Sequence, residues 1–93
     1  MARNRDRALN KKVLIILADG FEEMEAVTPI DILRRAGLEV VVAGLEKKEV
    51  TGAHGIQLTA DVLLNDVGET PEMIILPGGP GADKLGRSKR CRQ

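Results

Sequence analysis

The chain has 93 residues, with no Trp, no Tyr and a single Phe, Phe21, and its 14 Lys plus Arg balance 14 Asp plus Glu. That length holds one small domain at most and excludes a second, with little aromatic area for its core. A net charge of zero argues against a general nucleic-acid binder, while 7 Ile, 11 Leu and 8 Val make the chain too apolar to stay disordered.

Residues 1–10 read as a disordered basic extension, and 11–93 as the folding unit. Arg3, Arg5, Arg7, Lys11 and Lys12 against Asp6 leave the first twelve residues at +4. Val13 to Ala18 follows as a continuous apolar run, the pattern of a strand covered on both faces in a parallel sheet. It is the longest apolar run and far too short to span a bilayer.

From Glu22 to Ala36, Met24, Val27, Ile30 and Leu33 recur every three residues. Glu22, Glu23 and Glu25 open this stretch and Arg34 and Arg35 close it, so its charges complement a helix dipole. Pro29 removes the donor to the Glu25 carbonyl, and a kink is expected there. Gly37 stops the helix.

Leu38 to Ala43 is a second buried strand, completing a βαβ unit with a right-handed crossover. Val50-Thr51 and Ile56 to Thr59 flank Gly52-Ala53-His54-Gly55 as a short hairpin. Ala60 to Val67 is a short linking segment, read as at most one helical turn. Glu72-Met73-Ile74-Ile75-Leu76 is a third buried strand, and it ends in Pro77-Gly78-Gly79-Pro80-Gly81. Ala82 to Arg92 begins a helix in which Lys84, Arg87, Lys89, Arg90 and Arg92 bring the last ten residues to +5. The middle, 13–83, carries −9.

The fold class is therefore α/β, a partial doubly wound parallel sheet: βαβ, a short β excursion, a β-strand and the start of a helix. In the order 2-1-3-4-5 the third strand needs a fourth beside it, so the expectation is a domain cut before that strand. Met73 to Leu76 would be an apolar edge.

Chemistry in such sheets collects at the carboxyl ends of the strands. Two loops qualify here: Asp19 to Glu25 after the first strand, and Pro77 to Gly81 after the third. If those strands are neighbours, a carboxylate meets a Gly-Gly turn whose N–H groups can receive an oxyanion. The same residues also read as ordinary dipole complements and an ordinary turn. No cofactor is expected. Gly79-Pro80-Gly81 has Lys84 where a dinucleotide fingerprint needs glycine, and no Gly-Lys-Ser/Thr follows.

His54 stands in a surface turn with no Cys or carboxylate at metal-ligand spacing along the chain, so no metal is expected. Cys91, the single cysteine, lies in Arg90-Cys91-Arg92, where cations favour the thiolate but nothing supplies a base or an oxyanion pocket. One cysteine and no secretory segment point to the cytoplasm.

Lys12 to Glu25, Arg34-Arg35-Ala36-Gly37, Val42-Ala43-Gly44-Leu45 and Leu76-Pro77-Gly78-Gly79 stand in the order of the DJ-1/ThiJ/PfpI family, which the chain resembles over about residues 11–90. The resemblance implies the amino-terminal half of a flavodoxin-like, glutamine amidotransferase-related domain. It also implies a usual homodimer and cysteine-dependent glyoxalase, deglycase, stress-protection or peptidase functions on substrates such as small carbonyls. It assigns Glu25 as the acid that hydrogen-bonds the nucleophilic cysteine, and Gly79, with Gly78 beside it, as the oxyanion loop. The family's cysteine stands on a strand-to-helix elbow well beyond Pro-Gly-Gly. Cys91 is only twelve residues after Gly79, so the nucleophile is absent and the expectation is an inactive fragment. The alternative is a non-enzymatic module that completes its sheet with another chain, by self-association through the first helix or the third strand. Neither a membrane nor nucleic acid is an expected partner.

Overall fold

The computed structural model describes residues 11–79. The basic extension, the expected last helix and Cys91 lie outside these residues.

The described chain runs β1 (Lys12–Leu17), α1 (Glu23–Arg35), β2 (Glu39–Gly44), β3 (Glu49–Thr51), β4 (Gln57–Thr59), β5 (Val62–Leu63), a 3-10 turn (Leu64–Asp66) and β6 (Met73–Ile75). Four strands form a parallel sheet in the order β5-β2-β1-β6, and β3 and β4 pair apart as an antiparallel hairpin. Central β1 is in register with β2 from Lys12↔Glu39 to Leu17↔Gly44, and with β6 from Val13↔Met73 to Ile15↔Ile75. This is the α/β parallel-sheet arrangement expected from the continuous apolar runs, and the flavodoxin-like one that the resemblance implies.

Alternation along β1 divides the core into two layers. Val13, Ile15 and Leu17 join Phe21, Ala26, Val40, Val42 and Val50 on the α1 side, with Ile30 and Leu33 packed against them. Leu14, Ile16 and Ala18 join Ala43 on the other, with Val41, Val62 and Leu64 against them. Val13 to Ala18 are all buried, as a strand covered on both faces requires.

Three local readings need correction. The first concerns the apolar positions of α1, which do not all face the core: Met24 is 74% exposed and Val27 is also exposed. A strict three-residue repeat drifts by about 60° per step around a helix of 3.6 residues per turn. The buried face is instead Glu23, Ala26, Ile30 and Leu33, spaced by three and four. The helix continues through Pro29, so the missing donor does not end it.

The second concerns β6, which is not a buried strand. Met73 and Ile74 are each 52% exposed, because only β1 pairs with it among the described residues. The third is the link at 60–67, which contains the expected single turn at Leu64–Asp66 but also a strand of its own. Val62 and Leu63 extend the sheet beyond β2, opposite Ala43 and Gly44. Asp61 steers this return: its Oδ2 accepts from the Val42 N–H (2.9 Å) and from the Arg34 guanidinium (3.1 Å), which also donates to the Val40 carbonyl (2.8 Å).

Candidate functional site

The parallel pairing of β1 with β6 brings their carboxyl-end loops together. Glu25 projects from the second residue past the start of α1, and the Gly78 N–H donates to its Oε1 at 2.7 Å. The Glu22 N–H donates back to the Gly78 carbonyl at 2.8 Å. Loop and helix start are thus stitched in both directions, and an exposed carboxylate is held against the glycine turn.

Geometry requires glycine at Gly79, whereas at Gly78 a side chain would displace the Glu25 carboxylate. A Cβ on Gly78 would stand 2.5 Å from Glu25 Oε1. Gly79 has φ of 100°, and a Cβ there would stand 2.7 Å from the Gly20 carbonyl oxygen. Of the expected site residues, Glu25 and Gly78 touch, and Gly79 lies against the loop that leads into Glu25. The Gly78 N–H is engaged by Glu25. Cys91 lies outside the described residues, and no cysteine occurs within them.

A second constellation was not legible along the chain. Glu23, in the first turn of α1, is 6% exposed, and its carboxylate reaches the tip of the β3–β4 hairpin. Oε2 accepts from the N–H groups of His54 (2.7 Å) and Ile56 (3.3 Å), while Oε1 lies 3.0 Å from His54 Nδ1. Glu22 Oε2 is 3.8 Å from the same nitrogen. His54 does occupy an exposed turn, but it does not stand apart from carboxylates: folding carries two of them to it from 31 and 32 positions away. No local sequence signal marks that meeting.

Burial pushes the Glu23 carboxyl up, but hydrogen bonds from the His54 ring and from the N–H groups of Glu23, His54 and Ile56 outweigh it and hold the group down to about 2. The Glu23 hydrogen bond, aided by the charges of Glu23 and Glu22, raises His54 above its ordinary 6.5.

An open parallel α/β sheet in the order β5-β2-β1-β6, with an acid and a glycine turn gathered at its carboxyl edge, is a flavodoxin-like arrangement, and that edge is where such sheets generally bind ligands. Within that class the chain belongs to the DJ-1/PfpI family, whose model matches residues 11–93. It is 47% identical over 85 residues to protein DJ-1 homolog B of Arabidopsis thaliana, covering 88% of this chain and 19% of that protein. It is 42% identical over 80 residues to the glutathione-independent glyoxalase DJR-1.2 of Caenorhabditis elegans, covering 84% and 43%. Oxidized DJ-1 of Toxoplasma gondii superposes with a TM-score of 0.83 at 44% identity, covering 87% of this chain and 46% of that one. The chain spans less than half the length of each of these relatives.

Proposed function

We propose that this chain carries the supporting half of a cysteine-dependent site for small reactive carbonyl compounds. The observation that carries the proposal is the 2.7 Å hydrogen bond that fixes the Glu25 carboxylate on the Pro-Gly-Gly loop. In the reaction, a cysteine thiolate adds to the carbonyl carbon and the carbonyl π pair moves onto oxygen, where the Gly79 N–H receives the developing charge. Glu25 is the hydrogen-bonding partner of that cysteine. Family membership and the glyoxalase named among the relatives support this assignment. A single cysteine fits a reducing compartment, and we place the protein in the cytoplasm.

The nucleophile must come from elsewhere than residues 11–79. The 93-residue chain alone is expected to consume no methylglyoxal above background; turnover abolished by Cys91→Ser would overturn that. Mixing it with the carboxyl-terminal half of the C. elegans glyoxalase is expected to generate turnover that Glu25→Ala removes. Turnover indifferent to Glu25→Ala, or no turnover from halves shown by sedimentation to associate, refutes the assignment.

A second proposal rests on the exposed faces of Met73 and Ile74 on β6 and of Met24 on α1. Here the chain acts as a binding module that self-associates through α1 or through β6, completing its sheet. Sedimentation showing a monomer at high concentration contradicts it.

A further inference from the structure

We propose that Glu22, Glu23 and His54 form a binding site for a divalent transition-metal ion of the Zn2+ type, separate from the Glu25–Gly78 clasp and independent of the carbonyl chemistry. Each residue offers one donor atom, and the three donors lie within 4.8 Å of one another. They come from two elements, the amino-terminal turn of α1 and the hairpin tip, so an ion there would cross-link segments that only the fold brings together.

The distances fit such an ion. Zinc bonds to imidazole nitrogen and carboxylate oxygen are about 2.0–2.2 Å, so two ligands at a tetrahedral angle stand roughly 3.4 Å apart. The observed separations from His54 Nδ1, 3.0 Å to Glu23 Oε1 and 3.8 Å to Glu22 Oε2, fall on either side of that spacing. Small side-chain rotations complete the triad, and a water fills the fourth position. One imidazole with two carboxylates suits a borderline ion such as Zn2+ or Co2+. All-oxygen Ca2+ cages and thiolate-seeking Cu+ fit less well.

The least mobile ligand is already oriented. Glu23 is buried, and two backbone N–H groups on Oε2 turn Oε1 toward His54. Outer hydrogen bonds of this kind fix ligand orientation at metal sites. His54, 72% exposed, gives the ion a route from solvent that leaves the core closed. The ion takes the place of the hydrogen bond between Nδ1 and Oε1, with the ring proton on Nε2. Two carboxylates and a neutral imidazole then balance a dication. The positive end of the helix dipole contributes nothing favourable to a cation, so binding rests on the side-chain donors alone.

Glu25 is two residues beyond Glu23, about 200° around the helix, and its carboxylate is held by Gly78. Glu23 and Glu25 therefore project on opposite sides of one helix turn, and Glu22 meets the clasp only through its backbone N–H, which a side-chain substitution leaves in place, so failure of one site does not imply failure of the other.

The test is calorimetric titration of the 93-residue chain with ZnCl2, together with the visible absorption of added Co2+. Both use a Cys91→Ser background, so that the thiol supplies no competing ligand. One equivalent is expected to bind, and His54→Ala and Glu22→Gln, both at solvent-accessible positions, are each expected to weaken binding by at least about tenfold. Circular dichroism confirms that the variants fold. Undiminished binding in either variant overturns the three-donor site, as does no binding by the parent up to about 1 mM free Zn2+. Glu23→Gln is omitted because its carboxylate also ties the hairpin to α1.

Discussion

The loop at residues 18–22 is held from two sides in very different ways. On the hairpin side, the Gly20 N–H donates to the Thr51 carbonyl and the Ala53 N–H to that of Phe21, at 2.8 and 2.7 Å. Asp19 accepts from the Thr51 N–H and pairs with Lys47, and Phe21 and Val50 are fully buried beneath. On the β6 side, a three-residue strand with exposed Met73 and Ile74 leads to the glycine turn, which two hydrogen bonds attach to α1. The apolar burial therefore lies under one side of the site loop, while the acid's direct partner lies on the other. In this arrangement the hairpin side fixes where the helix starts, and the softer β6 side is fitted to it.

Removing the buried anchor gives the largest expected effect. Phe21→Ala empties the only aromatic position in the core and should cost about 3–5 kcal/mol. Urea unfolding measures it; a loss below about 1 kcal/mol would mean that the hairpin side is not the anchor. Gly79→Ala should cost about 1–3 kcal/mol, from its positive φ and the close Gly20 carbonyl. Hydrogen exchange should quicken at Gly78 while the hairpin amides of Ala53 and His54 keep their protection. Equal quickening on both sides would erase the contrast.

The hairpin side should also respond to pH. With a chelator present, the lowered Glu23 carboxyl contributes stability above its ordinary 4.5, and this is lost as pH falls toward about 2. The raised His54 contributes stability below 6.5, lost as pH rises through its folded value. The pair therefore supports the fold best between these two ordinary values. Melting temperature should fall on both flanks, and His54→Ala should flatten the alkaline flank. Exposure of the ring keeps that change small.

The smallest effect on stability is expected at the β6 edge. Ile74→Lys should change stability by no more than about 0.5 kcal/mol, since the side chain is half exposed, yet lower any self-association seen by sedimentation. A large destabilisation would show that β6 is as well anchored as the hairpin.

The local parts of this fold can be read along the chain. Unbroken Val, Leu and Ile runs mark β1 and β2, and the charged ends of the helix mark α1, because each signal fits within one element. The meeting of Glu25 with Gly78 follows once β1 and β6 are taken as neighbours. By contrast, Val62 and Leu63 are too few to show a strand period, and they become a strand only by pairing with Ala43 and Gly44. Burial of Glu23 and its pairing with His54 depend on where the hairpin docks, which no spacing across a separation of 31 positions encodes.

The short β6 also acts as a ruler. Its three pairs, Val13↔Met73 to Ile15↔Ile75, place Gly78 three residues past the last rung. A slip by a single residue would shift that glycine by about 3.3 Å along β1 and invert the strand's faces. The Glu25 hydrogen bond could not survive such a shift. Closure of the Glu25–Gly78 clasp is thus tied to the alignment of β6 with β1.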